Sequence, residues 1–167
     1  QPWQFWQYTD VGHPAGILGD SKFNTDLDVA HGDLEFVKDF LVPAMWTNNT
    51  NGAWETISNW NTDADPSGKG PAARLPGGDD TVVLDRAGVN LVVTHASGSH
   101  SIRKLVNNEQ LTITGGSLSV TRSITNTATL TTNGGTLNVQ SFANNGSYVH
   151  SSGTASLGPP GTGIVVA

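Results

Sequence analysis

The chain has 167 residues, with 14 acidic and 8 basic side chains and a formal net charge of −6. This length accommodates one or two domains and excludes a large multidomain enzyme. The acidic balance argues against nucleic acid as a partner, because such a surface needs clustered lysine and arginine. Cysteine is absent, which excludes disulfides and cysteine-ligated zinc, and no apolar run reaches the roughly 18 residues of a membrane span.

The composition divides the chain into two parts. Residues 1–43 carry seven acidic side chains and two lysines, whereas residues 123–167 contain no Asp, Glu, Lys or Arg. Pro43 and the polar run 47–52 have the composition of a boundary. We therefore expect a first unit over residues 1–43, a linker over 44–52 and a second unit over 53–167.

The first unit is expected to fold as strand, loop, strand and helix. Trp3–Tyr8 and Phe23–Val29 have strand patterns and flank a glycine-containing loop. Asp33 stands where a helix N-cap is expected, and the apolar spacing over Leu34–Leu41 predicts the helix that follows it.

Four motifs follow one another in this unit: WQFWQYTDVG from Trp3, GILG from Gly16, DLDV from Asp26 and GDL from Gly32. In this order they resemble the C-terminal end of family 25 glycoside hydrolases, the Chalaropsis-type lysozymes or muramidases. The resemblance covers residues 1–42 and implies the last two strands and closing segment of an irregular (β/α) barrel. We therefore expect the chain to contain the end of one domain and the beginning of another.

The resemblance also implies roles for three residues. Asp26 matches a supporting active-site carboxylate, and Trp6 and Tyr8 match substrate-binding aromatics near the sugar site, at the ends of barrel strands. A solvated strand-end acid is the alternative for Asp26, and an ordinary core aromatic is an equal alternative for Trp6.

The principal carboxylate pair of that family is an Asp-x-Glu motif on a middle barrel strand, which serves as the acid and base of glycosidic hydrolysis. Here the only such spacing is Asp33-Leu34-Glu35. Its position at a predicted helix start favours an N-cap and a first-turn acid that stabilise the helix dipole. We therefore expect this chain to lack the main catalytic pair.

The second unit contains a repeat of short strands. The segments LTITGGSLSV, LTTNGGTLNV and YVHSSGTASL begin at Leu111, Leu130 and Tyr148, 19 and 18 residues apart. Their alternating apolar residues, paired glycines and matching asparagines predict a mainly β fold, a parallel β-solenoid with 18–19-residue coils and asparagine ladders between coils. An antiparallel sandwich or barrel with similar strand spacing remains an alternative.

Upstream of the repeat, residues 79–84 and 89–93 are expected to form two further strands. The order of Trp54, Trp60, these strands and the Ser/Thr/Gly/Asn-rich coils resembles the entry coils of autotransporter-like bacterial β-solenoids. Both tryptophans are expected to cap the open end of the core, with sugar stacking as the alternative.

No cofactor and no metal site is predicted. The five histidines (His13, His31, His95, His100, His150) show no metal-type clustering, because the nearest pair, His95 and His100, is five positions apart in a strand-rich region. Residues 63–68 resemble the start of a calcium-binding loop, but Arg74 stands where the bidentate glutamate would be, which favours a polar turn.

The sequence thus supports two functional hypotheses. The first is a fragment of a secreted or surface-exposed bacterial muramidase that cleaves peptidoglycan β-1,4 bonds, with the fragment itself inactive. The second is a non-catalytic β-solenoid acting as an adhesin, polysaccharide-binding or structural surface module. Both imply peptidoglycan or another cell-surface polysaccharide as partner, and the chain is expected to be a monomer. A β-helix polysaccharide lyase is disfavoured, because residues 123–167 carry no charged side chains.

Overall fold

The computed structural model describes residues 5–12, 25–30, 43–62 and 74–158. The chain divides into two compact units, Gln1–Phe40 and Leu41–Ala167. In the first unit, β1 (Phe5–Gly12) and β2 (Thr25–Ala30) form an antiparallel pair. Both predicted strands are therefore present, and each extends beyond its predicted C-terminal end, whereas the predicted N-cap Asp33 and the helix after it lie outside the described residues.

The second unit is a parallel β-solenoid of about four turns. Besides one 3-10 turn at Ile57–Asn59, its described residues form ten strands. These are β3 (Ala44–Trp46), β4 (Gly52–Ala53), β5 (Trp60–Asn61), β6 (Thr81–Leu84), β7 (Val92–His95), β8 (Ser99–Asn107), β9 (Gln110–Ile113), β10 (Ser117–Asn126), β11 (Thr129–Asn144) and β12 (Ser147–Leu157).

Successive coils pair in three parallel stacks. The first stack joins β4, β7, β9 and the beginnings of β11 and β12. The second joins the beginnings of β8 and β10, the middle of β11 and the end of β12. The third joins β3, β6 and the ends of β8, β10 and β11. This topology confirms the predicted solenoid and excludes the antiparallel alternative for this unit.

The register confirms the repeat that the sequence predicts. Leu130 pairs with Leu111 on one side and with Tyr148 on the other. The unequal spacing has a local cause, because the coil that contains Leu118 has one extra corner residue. Two residues, Thr121 and Arg122, lie at this corner, whereas each neighbouring coil has a single residue at the same place.

The core is a column of stacked aliphatic side chains flanked by an asparagine ladder. The alternating residues Leu118, Val120, Leu137 and Val139 are all buried, as their strand pattern predicts. At one edge of the coils, Asn107 Nδ2 donates to Asn126 Oδ1, and Asn126 Nδ2 donates to Asn144 Oδ1, both at 2.7 Å. The predicted ladder is therefore present.

Residues 44–52 differ from the expected linker. β3 pairs in parallel with β6 and antiparallel with β5, and Trp46 is completely buried. Residues 44–46 are a strand of the solenoid instead of a linker. Ala44 and Trp46 lie two positions apart on this strand, so their side chains point to the same face, and both are buried against the core. The solenoid thus begins before the polar run that suggested a boundary.

The upstream strands are present with one shift. β6 lies within the predicted residues 79–84, but β7 begins at Val92 rather than at residue 89. The preceding residues form a turn held by the buried carboxylate of Glu109, which accepts hydrogen bonds from the backbone N–H groups of Arg86 and Leu91. These N–H groups therefore donate to a side chain instead of to the carbonyl groups of a neighbouring strand.

Three tryptophans close the first coil. The rings of Trp46 and Trp54 each meet the ring of Trp60 edge-on, at centroid distances of 5.0 and 4.7 Å. The indole N–H of Trp60 donates to the carbonyl oxygen of Trp54 at 2.7 Å. All three are buried, which confirms the predicted cap for Trp54 and Trp60 and leaves their rings inaccessible for sugar stacking. Among the described residues, no helix has the length and apolar character to cross a membrane.

Candidate functional site

Glu55, His95 and His100 form a polar cluster beside the tryptophan cap. One ligand atom from each side chain lies within 4.8 Å of the other two. The expectation that the histidines do not cluster is therefore wrong for this pair. His95 ends β7 and His100 lies near the start of β8, and a tight turn with Gly98 at φ +74° joins the two strands.

Both histidines occupy positions that are aliphatic in the next coil. His95 pairs with Ile113, and His100 pairs with Leu118. His95 is completely buried, like the isoleucine beside it, while His100 is partly exposed. Comparing the coils position by position would have revealed this exchange in the sequence. Glu55, 40 residues before His95, gives no such signal.

The hydrogen bonds of His95 define its tautomer. Its Nδ1 lies 3.0 Å from the carbonyl oxygen of Gly115, and its Nε2 lies 2.9 Å from Nδ1 of His100. A carbonyl oxygen can only accept, so the hydrogen of neutral His95 is assigned to Nδ1. Nε2 of His95 therefore directs a lone pair at the second imidazole, whose Nδ1–H is the donor.

Glu55 is held by the turn between the two histidines. Its Oε1 accepts the backbone N–H groups of Ala96 and Ser97, at 2.8 and 2.9 Å, and lies 3.9 Å from Nδ1 of His95. Burial opposes ionisation of this carboxyl, but the backbone N–H bonds and the proximity of His95 outweigh it and lower the pKa of Glu55. The cluster therefore contains a carboxylate at neutral pH.

His100 is kept neutral by its surroundings. Burial lowers the pKa of His100, the neighbouring His95 lowers it further, and Glu55 opposes the shift only in part. Its ring lies close to Gly98, where an added Cβ would stand 3.0 Å from Cε1. The arrangement therefore combines a neutral imidazole with a carboxylate, which are the donor types that bind a divalent transition metal.

The candidate residues of the first unit lie on its two paired strands. Trp6 is on β1 opposite Val29, and Tyr8 lies at a register shift in the same strand. Asp26 is on β2, between the paired positions Leu27 and Thr25. The backbone therefore brings the predicted aromatics and the predicted carboxylate onto neighbouring strands, while their side chains lie outside what the structure describes. The calcium-loop-like residues 63–68 also lie outside it.

A second polar group lies before β6. Arg74 donates two hydrogen bonds to Asp80, at 2.6 and 2.9 Å, and the N–H of Gly77 donates to the same carboxylate at 2.6 Å. Burial disfavours the charged form of Asp80, but the bonds from Arg74 and Gly77 prevail and lower its pKa. Because every member is paired within the turn, this group stabilises the entry to β6.

Comparisons with known proteins find no match for the chain. No protein-family model matches it, and neither a curated protein nor a solved structure shows significant similarity. Functional inference therefore depends on the chemistry of the described residues.

Proposed function

We propose that the solenoid is a non-catalytic surface module that binds polysaccharide through the outward side of its second stack, the hydroxyl face. This face comprises the outward positions of four coils, each exposed or half-buried. They are Ser99, Ser101, Ser117, Ser119, Thr136, Asn138, Thr154 and Ser156.

The regular backbone gives the hydroxyl face its spacing. Ser119 pairs with Ser101 on one side and Asn138 on the other, so equivalent side chains repeat about every 4.8 Å across the strands. Each serine or threonine offers one donor and two acceptor lone pairs, and asparagine offers two donors and an acceptor. Such an array matches the hydroxyl and amide groups of a glycan chain, and its short side chains let an extended polymer approach closely.

The same observation favours binding over catalysis. Hydrolysis of a glycosidic bond by the usual route needs two carboxylates that flank the bond, and none of the eight positions of the hydroxyl face is acidic. The glycan would therefore be held without being cleaved by this face.

A retention assay tests the proposal. The full chain is mixed with insoluble peptidoglycan, cellulose and chitin in separate samples, and bound protein is measured after sedimentation. Saturable retention on at least one of them, abolished by excess soluble glycan, is the expected result. No saturable retention on any of the three would overturn the proposal.

A second candidate function rests on the first unit. We propose that residues 1–42 are the C-terminal end of a muramidase domain from a secreted or cell-surface bacterial protein. The supporting observation is that strands occur at both places where the resemblance implies them. Neighbouring strands of a regular (β/α) barrel are parallel, so the antiparallel pair β1 and β2 is compatible only with the irregular form of that barrel.

Turbidity measurements test this second candidate. A suspension of bacterial cell walls should not clear when the 167-residue chain is added, because the principal carboxylate pair is missing from it. Clearing would overturn the fragment interpretation. For the parent protein, we expect clearing by a chain that includes the residues encoded upstream, with strongly reduced activity after Asp26→Asn; unchanged activity in that variant would contradict the role given to Asp26.

A further inference from the structure

We propose that Glu55, His95 and His100 bind one divalent transition-metal ion of the Zn²⁺ class. The ligands are Nε2 of His95, Nδ1 of His100 and a carboxylate oxygen of Glu55. Such an ion would join the segment that carries the tryptophan cap to the first complete coil. This inference is independent of the proposed polysaccharide binding.

The two histidine nitrogens are already close to a coordination distance. Tetrahedral zinc with Zn–N bonds of 2.0–2.1 Å separates two nitrogen ligands by about 3.3 Å, and Nε2 of His95 lies 2.9 Å from Nδ1 of His100. Binding needs a small separation of the two rings. It also needs His100 to carry its hydrogen on Nε2 instead of Nδ1, a change of tautomer that releases no net proton.

The groups around the ligands are those of a metal site. Metal-binding histidines usually donate their other ring N–H to a carbonyl or carboxylate, which fixes the ring orientation. Nδ1 of His95 has such an acceptor in the carbonyl oxygen of Gly115, at 3.0 Å. The N–H groups of Ala96 and Ser97 orient Glu55 in the same way.

The chemistry of the three donors selects the class of metal. Two imidazoles and one carboxylate suit Zn²⁺, Cu²⁺ or Ni²⁺ better than Mg²⁺ or Ca²⁺, which prefer an all-oxygen environment. Three protein ligands leave a fourth position open, and His100 and Glu55 are partly accessible while His95 is completely buried. Solvent can therefore supply the fourth ligand from the side of His100.

A purely structural role explains less of the arrangement. Capping of the turn accounts for Glu55, but it does not require two imidazoles that face each other through ring nitrogens. The next coil fills the equivalent positions with Ile113 and Leu118, so the solenoid packs there without polar side chains. The exchange places two nitrogen donors beside a carboxylate, and a bound cation gives all three groups a common partner.

Metal titration of the full chain tests the proposal. The protein is unfolded, refolded with EDTA, dialysed and titrated with Zn²⁺ by calorimetry, with circular dichroism as a check of folding. We expect one ion per chain and an affinity loss of about 100-fold or more in His100→Leu. His150→Ala, which changes an exposed histidine on β12, is the control and should bind as the wild type does.

Two further variants keep the result decisive. The double variant His95→Ile/His100→Leu copies the next coil, and Glu55→Gln retains the shape of the acid without its charge. Both should fold and bind Zn²⁺ much more weakly than the wild type. Less than one ion per wild-type chain at saturation, or an affinity unchanged in the folded double variant, would overturn the proposal; His13 and His31 are present in every variant, so binding through them would persist.

Discussion

Nε2 of His95 lies 2.9 Å from Nδ1 of His100, in a coil whose neighbour buries two aliphatic side chains at the same positions. A buried hydrogen bond of this kind contributes modestly while both partners are present. Removing one partner is costly, because the other is left unsatisfied and away from water. The pair should therefore behave differently in single and double substitutions.

In metal-free buffer, His100→Leu should lower the free energy of unfolding by about 1–3 kcal/mol, because Nε2 of the buried His95 loses its partner. His95→Ile/His100→Leu should recover at least half of that loss, since apolar side chains then fill both positions. Urea denaturation measures both values. A double variant less stable than the single one would contradict this account of the pair.

The asparagine ladder should be sensitive at its centre. Nδ2 of Asn126 lies within 3.1 Å of three oxygens, and its Oδ1 accepts from Asn107. Asn126→Ala removes these four hydrogen bonds and leaves the buried amide of Asn107 with only a 3.5 Å contact to the carbonyl oxygen of Thr129, so it should cost about 2–4 kcal/mol in thermal or urea unfolding. Asn138→Ala, on the exposed hydroxyl face, should change stability by less than about 0.5 kcal/mol. Equal effects in the two variants would show that the ladder does not stabilise the stack.

Two glycines with positive φ allow the cost of backbone strain to be distinguished from the cost of close packing. Gly116 has φ +63°, and an added Cβ would stand 2.2 Å from the carbonyl oxygen of Gly98 in the preceding coil. Gly88 has φ +77° but open space around it. Gly88→Ala should cost about 1–2 kcal/mol, whereas Gly116→Ala should cost at least about 2 kcal/mol more because backbone must move. Similar unfolding temperatures for both variants would contradict the close stacking at this turn.

The Arg74–Asp80 pair should make the stability of the fold depend on pH. Because the pKa of Asp80 is lower in the folded chain than its usual value near 3.9, its carboxylate stabilises the fold above that value, and the contribution is lost as pH falls through the folded pKa. Asp80→Asn should cost about 1 kcal/mol at pH 7, a value limited by the exposure of Arg74.

Unfolding measured from pH 7 down to pH 2 checks this prediction. The difference in stability between wild type and Asp80→Asn should shrink as the pH falls below about 4. In an Arg74→Gln background, the loss of stability caused by Asp80→Asn should also be smaller, because the substitution removes the largest influence that lowers the pKa of Asp80. A gap between wild type and Asp80→Asn that stays constant with pH would contradict the assignment.

Local periodicity made the solenoid predictable. The repeated apolar positions around Leu111 and Leu130 define both the strands and their register, since identical coils bury their cores only when like positions stack. The shift at Val89 was not predictable from periodicity, because an apolar strand-like run there is held in a turn by the side chain of Glu109. Trp46 was missed for a similar reason: its strand of three residues is too short to show a period.

The positions of Glu55 and the two histidines in the sequence did not predict that they form a cluster. His95 and His100 are five positions apart in a strand-rich region, and they come together because a turn places them on two successive stacks. Glu55 reaches them through pairing of β4 with β7, a contact between positions 41 residues apart in the sequence. Only the coil register reveals that these three residues share one end of the solenoid.

The hydroxyl face is tested most directly by a charge placed at its centre. Retention isotherms on the polysaccharide bound by the wild type should be measured for Ser119→Glu and for the matched control Thr131→Glu, on the outward side of the first stack. We predict that the affinity falls at least about tenfold in Ser119→Glu, because a carboxylate displaces the hydrogen-bonding surface and must be desolvated on contact, while Thr131→Glu binds as the wild type does. Unchanged retention of folded Ser119→Glu would contradict the claim that this face binds polysaccharide.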